Sequence, residues 1–491
     1  MGFRTSRLRT RVAYATWVSA ACGIAWYCLA ARTLPALLVA SAVAGALAAA
    51  LLRDTAQSSG AGAVAGMLGA LLYQAATYDS TGLLVQRGLP SYWLFAIGIT
   101  VTPVAAALVC FACGRRTNGW PSGAAIGAAL SVVVVVWFVV ASLLVVVPLM
   151  KVIDKPAAPG TYGHDSLTYL RTYQYMKSGD DYYHALVKAA AGNKGLPGAV
   201  KDGQFTSWMS AAAMRAPYVF RFWALTTRAG GGILVLSVLL AALVLAAFYW
   251  AFALEWGVSA VLVPILLVPQ LITHTTLVQN VFLPDWWAAL VVCLSIACTV
   301  RRHLFAALAL ALVAGLFRDV SALWLALLFA AAVVSYVRKP GRQTGTTAAF
   351  AALCVALFVV GVAVHRHDAR AVLSAEVLAR GPGVMYMLEH SAARSFQDRF
   401  LTPASYLMAQ YEFQGVIPAV LLLPVGLLGL MFDGRAEKGP YRWLPTIYLA
   451  IWIAFMATVG TSSSYWGQHY TVLTIAGCAL LLMAIGRRLA Q

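Results

Sequence analysis

The sequence predicts an all-α polytopic membrane protein of about fourteen transmembrane helices, with a helical polar loop between two of them. Three observations predict it. The 491 residues are 61% hydrophobic and 11% charged, too apolar for a soluble domain of that length. Runs of roughly 18 or more apolar residues recur along the chain, and in a bilayer only helices or closed barrels satisfy their backbone groups. The basic residues flank these runs, so the net charge of +18 points to helix orientation and anionic headgroups and away from nucleic acid.

The chain opens with MGFRTSRLRTRV, a basic start before an apolar run. It has no convincing small-residue cleavage site and more spans follow, so it reads as a retained first helix. Spans near 12–31, 34–52, 61–78 and 92–113 form a four-helix module over 1–120. The stretch GRRTNGWPS, residues 114–122, is the seam after it. A core over 121–340 follows: a span at 123–150, a polar loop at 151–228, then spans near 230–253, 257–273, 285–300, 303–317 and 320–337. The region 341–491 adds spans near 346–364, 414–432, 443–460 and 470–487, with a second polar segment at 365–412.

Short-loop basic residues orient these spans. Arg4, Arg7, Arg9 and Arg11 place the N-terminus inside. Alternation then puts Arg53, Arg115, Arg116, Arg301, Arg302, Arg338, Lys339, Arg435, Lys438, Arg487 and Arg488 inside as well. The 151–228 loop, the 274–285 turn, Arg318 with Asp319, the 365–412 segment and the 462–469 turn all fall outside. Every polar cluster of interest therefore belongs to one surface. The eight cysteines lie in or at the ends of apolar runs and imply no disulfide framework; Cys110 and Cys113 form a CxxC without a partner pair. Richness in Ala, Val, Leu, Gly and Arg suggests a high-GC bacterial genome and hence a plasma membrane.

The loop opens with GHDSLTYLRTYQYMKSGDDYYH, residues 163–184. Spacing predicts a helix over 166–177, with Asp165, Tyr169 and Tyr173 four apart on one face. Asp165 stands at its start, Gly179 ends it, and Asp180 with Asp181 begins a second helix. Read from the residues alone, Asp165 and Asp180 are either N-caps of two amphipathic helices lying on the membrane or part of a reactive site.

This stretch resembles the first outer loop of the GT-C glycosyltransferases, integral-membrane enzymes that use polyprenyl-phosphate sugars, among them mannosyl- and arabinosyltransferases. His164, Asp165, Tyr169, Met176, Gly179 and Asp180 follow that pattern in order, with Ser166 where many members carry a second acid. The HTTLVQNVFLPDWW stretch, 274–287, supplies an acid, Asp285, in the second outer loop. Arg318, in ALVAGLFRDVSALWL, occupies the basic position of a family hairpin. His469, in YWGQHY, stands where a family motif usually has Arg. The resemblance implies a GT-C fold and transfer of a monosaccharide from a polyprenyl-phosphate donor to a glycan, glycolipid or protein hydroxyl outside the cytoplasm, with inversion. It implies Asp165 as base, Arg318, Arg394 and His469 at the donor phosphate, and His164, Tyr169, Asp180, Asp181 and Asp285 positioning the acceptor or a divalent cation such as Mg or Mn.

The chemistry asks for the same parts. A carboxylate takes the acceptor proton, and Arg, Lys or a metal ion stabilises the leaving phosphate. Each residue also has a plain structural reading. Arg318 pairs locally with Asp319, and Asp285 caps a helix after Pro284. Arg366, Arg370, Arg394 and Arg399 meet headgroups, while His365 and His367 lie in a solvated loop. Trp208, Trp223, Trp286 and Trp287 sit at span edges as an aromatic belt, with sugar stacking the alternative. The rival function classes are a transporter or lipid flippase without chemistry, and a non-catalytic assembly subunit.

Overall fold

A computed structural model describes residues 123–153, 164–193, 200–206, 215–276, 278–375, 416–431, 440–459 and 467–489. The four-helix module, its seam, Cys110, Cys113, Trp208, Arg394 and Arg399 lie outside the described residues.

Every expected span beyond residue 122 coincides with a helix. In chain order these are α1 (Gly123–Ile153), the loop elements α2 (His164–Lys177), α3 (Tyr182–Ala191), β1 (Val200–Lys201), β2 (Gln204–Phe205) and α4 (Tyr218–Thr226), then α5 (Gly230–Trp256), α6 (Leu262–Thr276), the short α7 (Val278–Val281), α8 (Pro284–Val300), α9 (Leu304–Phe317), α10 (Ala322–Arg338), α11 (Arg342–Ala369), α12 (Val416–Met431), α13 (Leu444–Val459) and α14 (Gln468–Leu489). Among the described residues, Gly127–Met150, Gly230–Trp256, Asp319–Arg338 and Arg342–Val372 are long and apolar enough to cross a membrane. The helices Pro284–Val300 and Leu304–Phe317 are apolar but shorter. The fold is that of a helical membrane protein.

Apolar surface is distributed as lipid demands. Val132, Val136, Val140 and Val147 form an exposed stripe along α1, and Leu353, Leu357, Val360 and Val364 another on α11. In water such stripes would be costly; in hydrocarbon they cost nothing. The inward faces pack closely. At Gly426 and Gly429 of α12 the backbone runs directly against Gly477 of α14, with no room for a Cβ on either helix. Small residues permit this approach, which supplies dispersion contacts where no hydrophobic driving force acts between helices.

The two loop helices form where spacing predicts, with one difference at their caps. Asp181, and not Asp180, is the N-cap of α3, accepting from the Tyr183 and His184 amides at 2.9 and 3.3 Å. Asp180 pairs instead with Lys188 at 3.1 Å on the surface. A β-hairpin, β1 with β2, follows α3 and was not legible as a strand pair in two residues per arm. The loop is tied to the far end of α11. The Tyr183 hydroxyl meets His365 Nδ1 at 2.9 Å, and Tyr218 donates to the Gly361 carbonyl at 2.8 Å. Gly361 permits that approach, since a Cβ there would lie 3.0 Å from the Tyr218 hydroxyl. Ser374 donates its amide to the Phe205 carbonyl at 3.0 Å. The first and second polar segments, assigned to one side from charge alone, are thus in contact.

Candidate functional site

The site is built where three helix ends meet. Asp285 lies in the first turn of α8, behind Pro284. Leu283 is the N-cap and no side chain caps this end, so Asp285 is not the cap the sequence allowed. Two tryptophans fix this turn. Trp286 donates to Ser237 Oγ on α5 at 2.8 Å and stacks on His274, and Trp287 donates to the Val281 carbonyl at 2.7 Å. Both rings are fully buried, as is Trp223, so these side chains are core and not an interfacial belt. The N–H groups of Trp286 and Trp287 find partners inside the bundle, which is what lets these large amphipathic rings sit there.

Arg318 ends α9 with an extended backbone and begins the 3-10 turn Asp319–Ser321. Its side chain turns inward and is 6% exposed. The Nε–H donates to Asp285 Oδ1 at 2.8 Å, and NH1 donates to Asp319 Oδ1, also at 2.8 Å. The local pair with Asp319 therefore exists, but it is only half of the arrangement. His469, in the first turn of α14, places Nε2 at 3.2 Å from Asp285 Oδ1 and Nδ1 at 3.4 Å from Ser321 Oγ. Trp452 of α13 stacks flat on the imidazole, with centroids 4.9 Å apart and planes 5° apart. Stacking removes rotational freedom from the ring and aims both nitrogens.

Residues 285, 318 and 469, distant in sequence, thus share one buried cluster. A buried ion pair is costly unless its geometry is good and its remaining atoms are satisfied. Here one atom is not: Asp285 Oδ2 is buried without a hydrogen-bond partner among the described residues. A buried carboxylate oxygen left one donor short calls for an explanation.

Arg215, just before α4, is the residue that sequence reasoning missed. Its guanidinium lies within electrostatic reach of both Asp285 and Asp319. Its position comes from the loop: the Tyr182 hydroxyl donates to the Arg215 carbonyl at 2.5 Å, and Tyr182 packs on Phe220. No motif marks it, because its role depends on how the loop folds back.

The other expected site residues are placed as follows. Tyr169 is 1% exposed and packs edge-on against Phe220 at 5.5 Å, so it supports the loop from within. Tyr173 bonds Thr227 at 2.7 Å. Asp165 lies half-buried in the first turn of α2, and among the described residues no hydrogen bond joins it to the cluster. His164 begins α2, but its side chain lies outside what is described. Asp180, Asp181 and His184 are surface residues, with His184 on Asp181. Arg366 and Arg370 are exposed near the end of α11, and His367 meets Asp368 at 3.2 Å.

The described side chains around Asp285 do not assemble a site for a divalent cation. Among the described residues no group of three His, Cys, Asp or Glu side chains is placed to hold a metal ion. Asp285, the acid expected to help hold one, has Oδ1 engaged by a guanidinium and an imidazole. No family model matches the chain, and no curated protein or solved structure matches it.

Proposed function

We propose that this chain is a membrane glycosyltransferase that moves a monosaccharide from a polyprenyl-phosphate donor to a hydroxyl of a glycan, glycolipid or protein outside the cytoplasm. The observation that carries the reading is the meeting of Asp285, Arg318 and His469. Charged groups within apolar helices are costly unless paired or used. These three converge at helix ends, beneath a loop of amphipathic helices.

Each part has a role in a single displacement. The acceptor oxygen bonds to the anomeric carbon as the bond from that carbon to the phosphate oxygen breaks. Arg318 meets the charge that grows on the leaving phosphate. Asp165 takes the acceptor proton, and Asp285 Oδ2 is a second carboxylate oxygen, buried and without a hydrogen-bond partner among the described residues. The loop helices keep donor and acceptor at the bilayer edge, so the polyprenyl tail stays in lipid. A transporter would instead place such groups near the midplane in broken helices. Here they sit at the N-termini of α8 and α14 and the C-terminus of α9.

The test uses the purified chain in nanodiscs with a panel of polyprenyl-phosphate monosaccharides, following release of polyprenyl phosphate. Release with one sugar, abolished by Arg318→Ala, is the expected result. No release from any donor, by the parental protein with acceptor-containing membranes added, would sink the enzyme reading.

A further inference from the structure

We infer that Asp319 is a place-holder: its carboxylate occupies the Arg318 guanidinium where a phosphate anion binds, and the phosphate displaces it. This rests on the glycosyltransferase reading above and adds to it a built-in competitor for the donor.

The two edges of Arg318 differ in kind. The Nε edge is held by Asp285, which is 1% exposed, and breaking that pair would strand a buried charge. The NH1 edge is held by Asp319, whose side chain is 67% exposed. Solvent reaches the Asp319 end of this pair, so its carboxylate is rehydrated on parting, which the Asp285 carboxylate would not be. A carboxylate and a phosphate offer a guanidinium the same pair of acceptor oxygens. Arg215, within electrostatic reach of Asp319, supplies a second cation beside it. With a phosphate monoanion on Arg318, the displaced Asp319 carboxylate stays nearby, so Arg215 and Arg318 face three negative charges and Asp319 opposes the phosphate as well as competing with it. Asp319 Oδ1, the oxygen that holds Arg318, also accepts from the Val320 amide at 3.0 Å.

The chemistry fits any phosphate anion, so the probes separate its sources. The full chain in phosphatidylcholine nanodiscs is titrated with undecaprenyl phosphate, phosphatidylglycerol or inorganic phosphate. Asp319→Asn removes the competing charge but keeps the acceptor for the Val320 amide. It should bind undecaprenyl phosphate about two- to fivefold more tightly than the parent, the range such a pair contributes. Arg318→Gln should weaken it about tenfold or more. Equal or weaker binding by Asp319→Asn, with undecaprenyl phosphate bound by the parent, overturns the inference and leaves the enzyme reading standing. A gain with inorganic phosphate or phosphatidylglycerol, without binding of undecaprenyl phosphate, supports the exchange and removes the polyprenyl donor. Binding of none of the three overturns both. Should Asp319→Asn fail to fold, Asp319→Ser keeps an acceptor for Val320 and is judged by the same criteria.

Discussion

Arg318 and Asp285 share a 2.8 Å ion pair across 33 residues, and both side chains are buried. Removing one partner of such a pair typically costs about 3–5 kcal/mol, whereas replacing both by neutral groups is often close to neutral. Arg318→Met and Asp285→Asn should each lower the melting temperature in nanodiscs. The double variant should recover most of the loss. Additive losses would mean that the two groups do not depend on each other.

The N-cap of α3 carries a pH dependence. Burial alone would raise the Asp181 carboxyl, but the His184 side chain and the His184 and Tyr183 amides outweigh it and lower the pKa. A lowered folded pKa means that the cap's contribution is present above the unfolded value of about 3.9 and is lost as pH falls through the folded value. The effect is modest because the carboxylate is solvated. Hydrogen exchange at Tyr183 and His184, corrected for intrinsic rates, should show the first turn of α3 protected at pH 6 and opening progressively as the pH falls below about 3.9. Asp181→Asn is an equally good cap. It should keep protection and lose the pH dependence; a parental pH response in the Asp181→Asn variant would assign the effect elsewhere.

The side of the membrane on which the loop lies is a prediction from charge. Basic residues at short loops predict that 151–228 lies outside. The Tyr183–His365 bond at 2.9 Å and the Ser374–Phe205 bond at 3.0 Å join it to the segment placed on the same side. Ser178, an exposed residue after α2, is a suitable position for a single introduced cysteine. A membrane-impermeant maleimide should label Ser178→Cys in intact cells. Labelling only after lysis would reverse the topology and remove the extracytoplasmic site with it.

How much was legible depended on what kind of signal each residue carried. The helices beyond residue 122 were readable because an unbroken apolar run of about 18 or more residues spans lipid as a helix, whereas a barrel strand is shorter and alternates. Asp285 and Arg318 were readable because a charge at the edge of an apolar run is expensive and therefore notable. Their pairing was not, since nothing in the sequence relates two helix ends 33 residues apart. Trp286 and Trp287 misled for a physical reason. A tryptophan at a span edge looks the same whether its N–H meets water or Ser237 on another helix. Arg215 was invisible because its place depends on Tyr182, 33 residues earlier, holding its carbonyl. Asp180 and Asp181 are adjacent acids, and only the backbone geometry at Asp181 decides which one caps.

The proposed transfer would need one carboxylate to take the acceptor proton. Asp165 lies in the first turn of α2, where the exposed amides favour a negative charge, and it is half-buried. Asp285 is buried, with Oδ1 fully engaged and Oδ2 unpartnered among the described residues. Loss of a general base costs about a hundred- to ten-thousandfold in rate. Asp165→Asn should lose turnover by that factor while keeping donor binding and melting temperature, because its side chain joins no hydrogen bond among the described residues that the fold needs. Asp180→Asn removes a surface pair with Lys188 and should cost far less. Asp285→Asn should destabilise the bundle through Arg318, so its rate is compared in the Arg318→Met background, relative to Arg318→Met alone. The measurement is transfer in nanodiscs, with donor binding and melting recorded for each variant. Parental turnover in Asp165→Asn, together with a further loss from Asp285→Asn, would move the base to Asp285 Oδ2 and leave Asp165 as a favourable charge at a helix start.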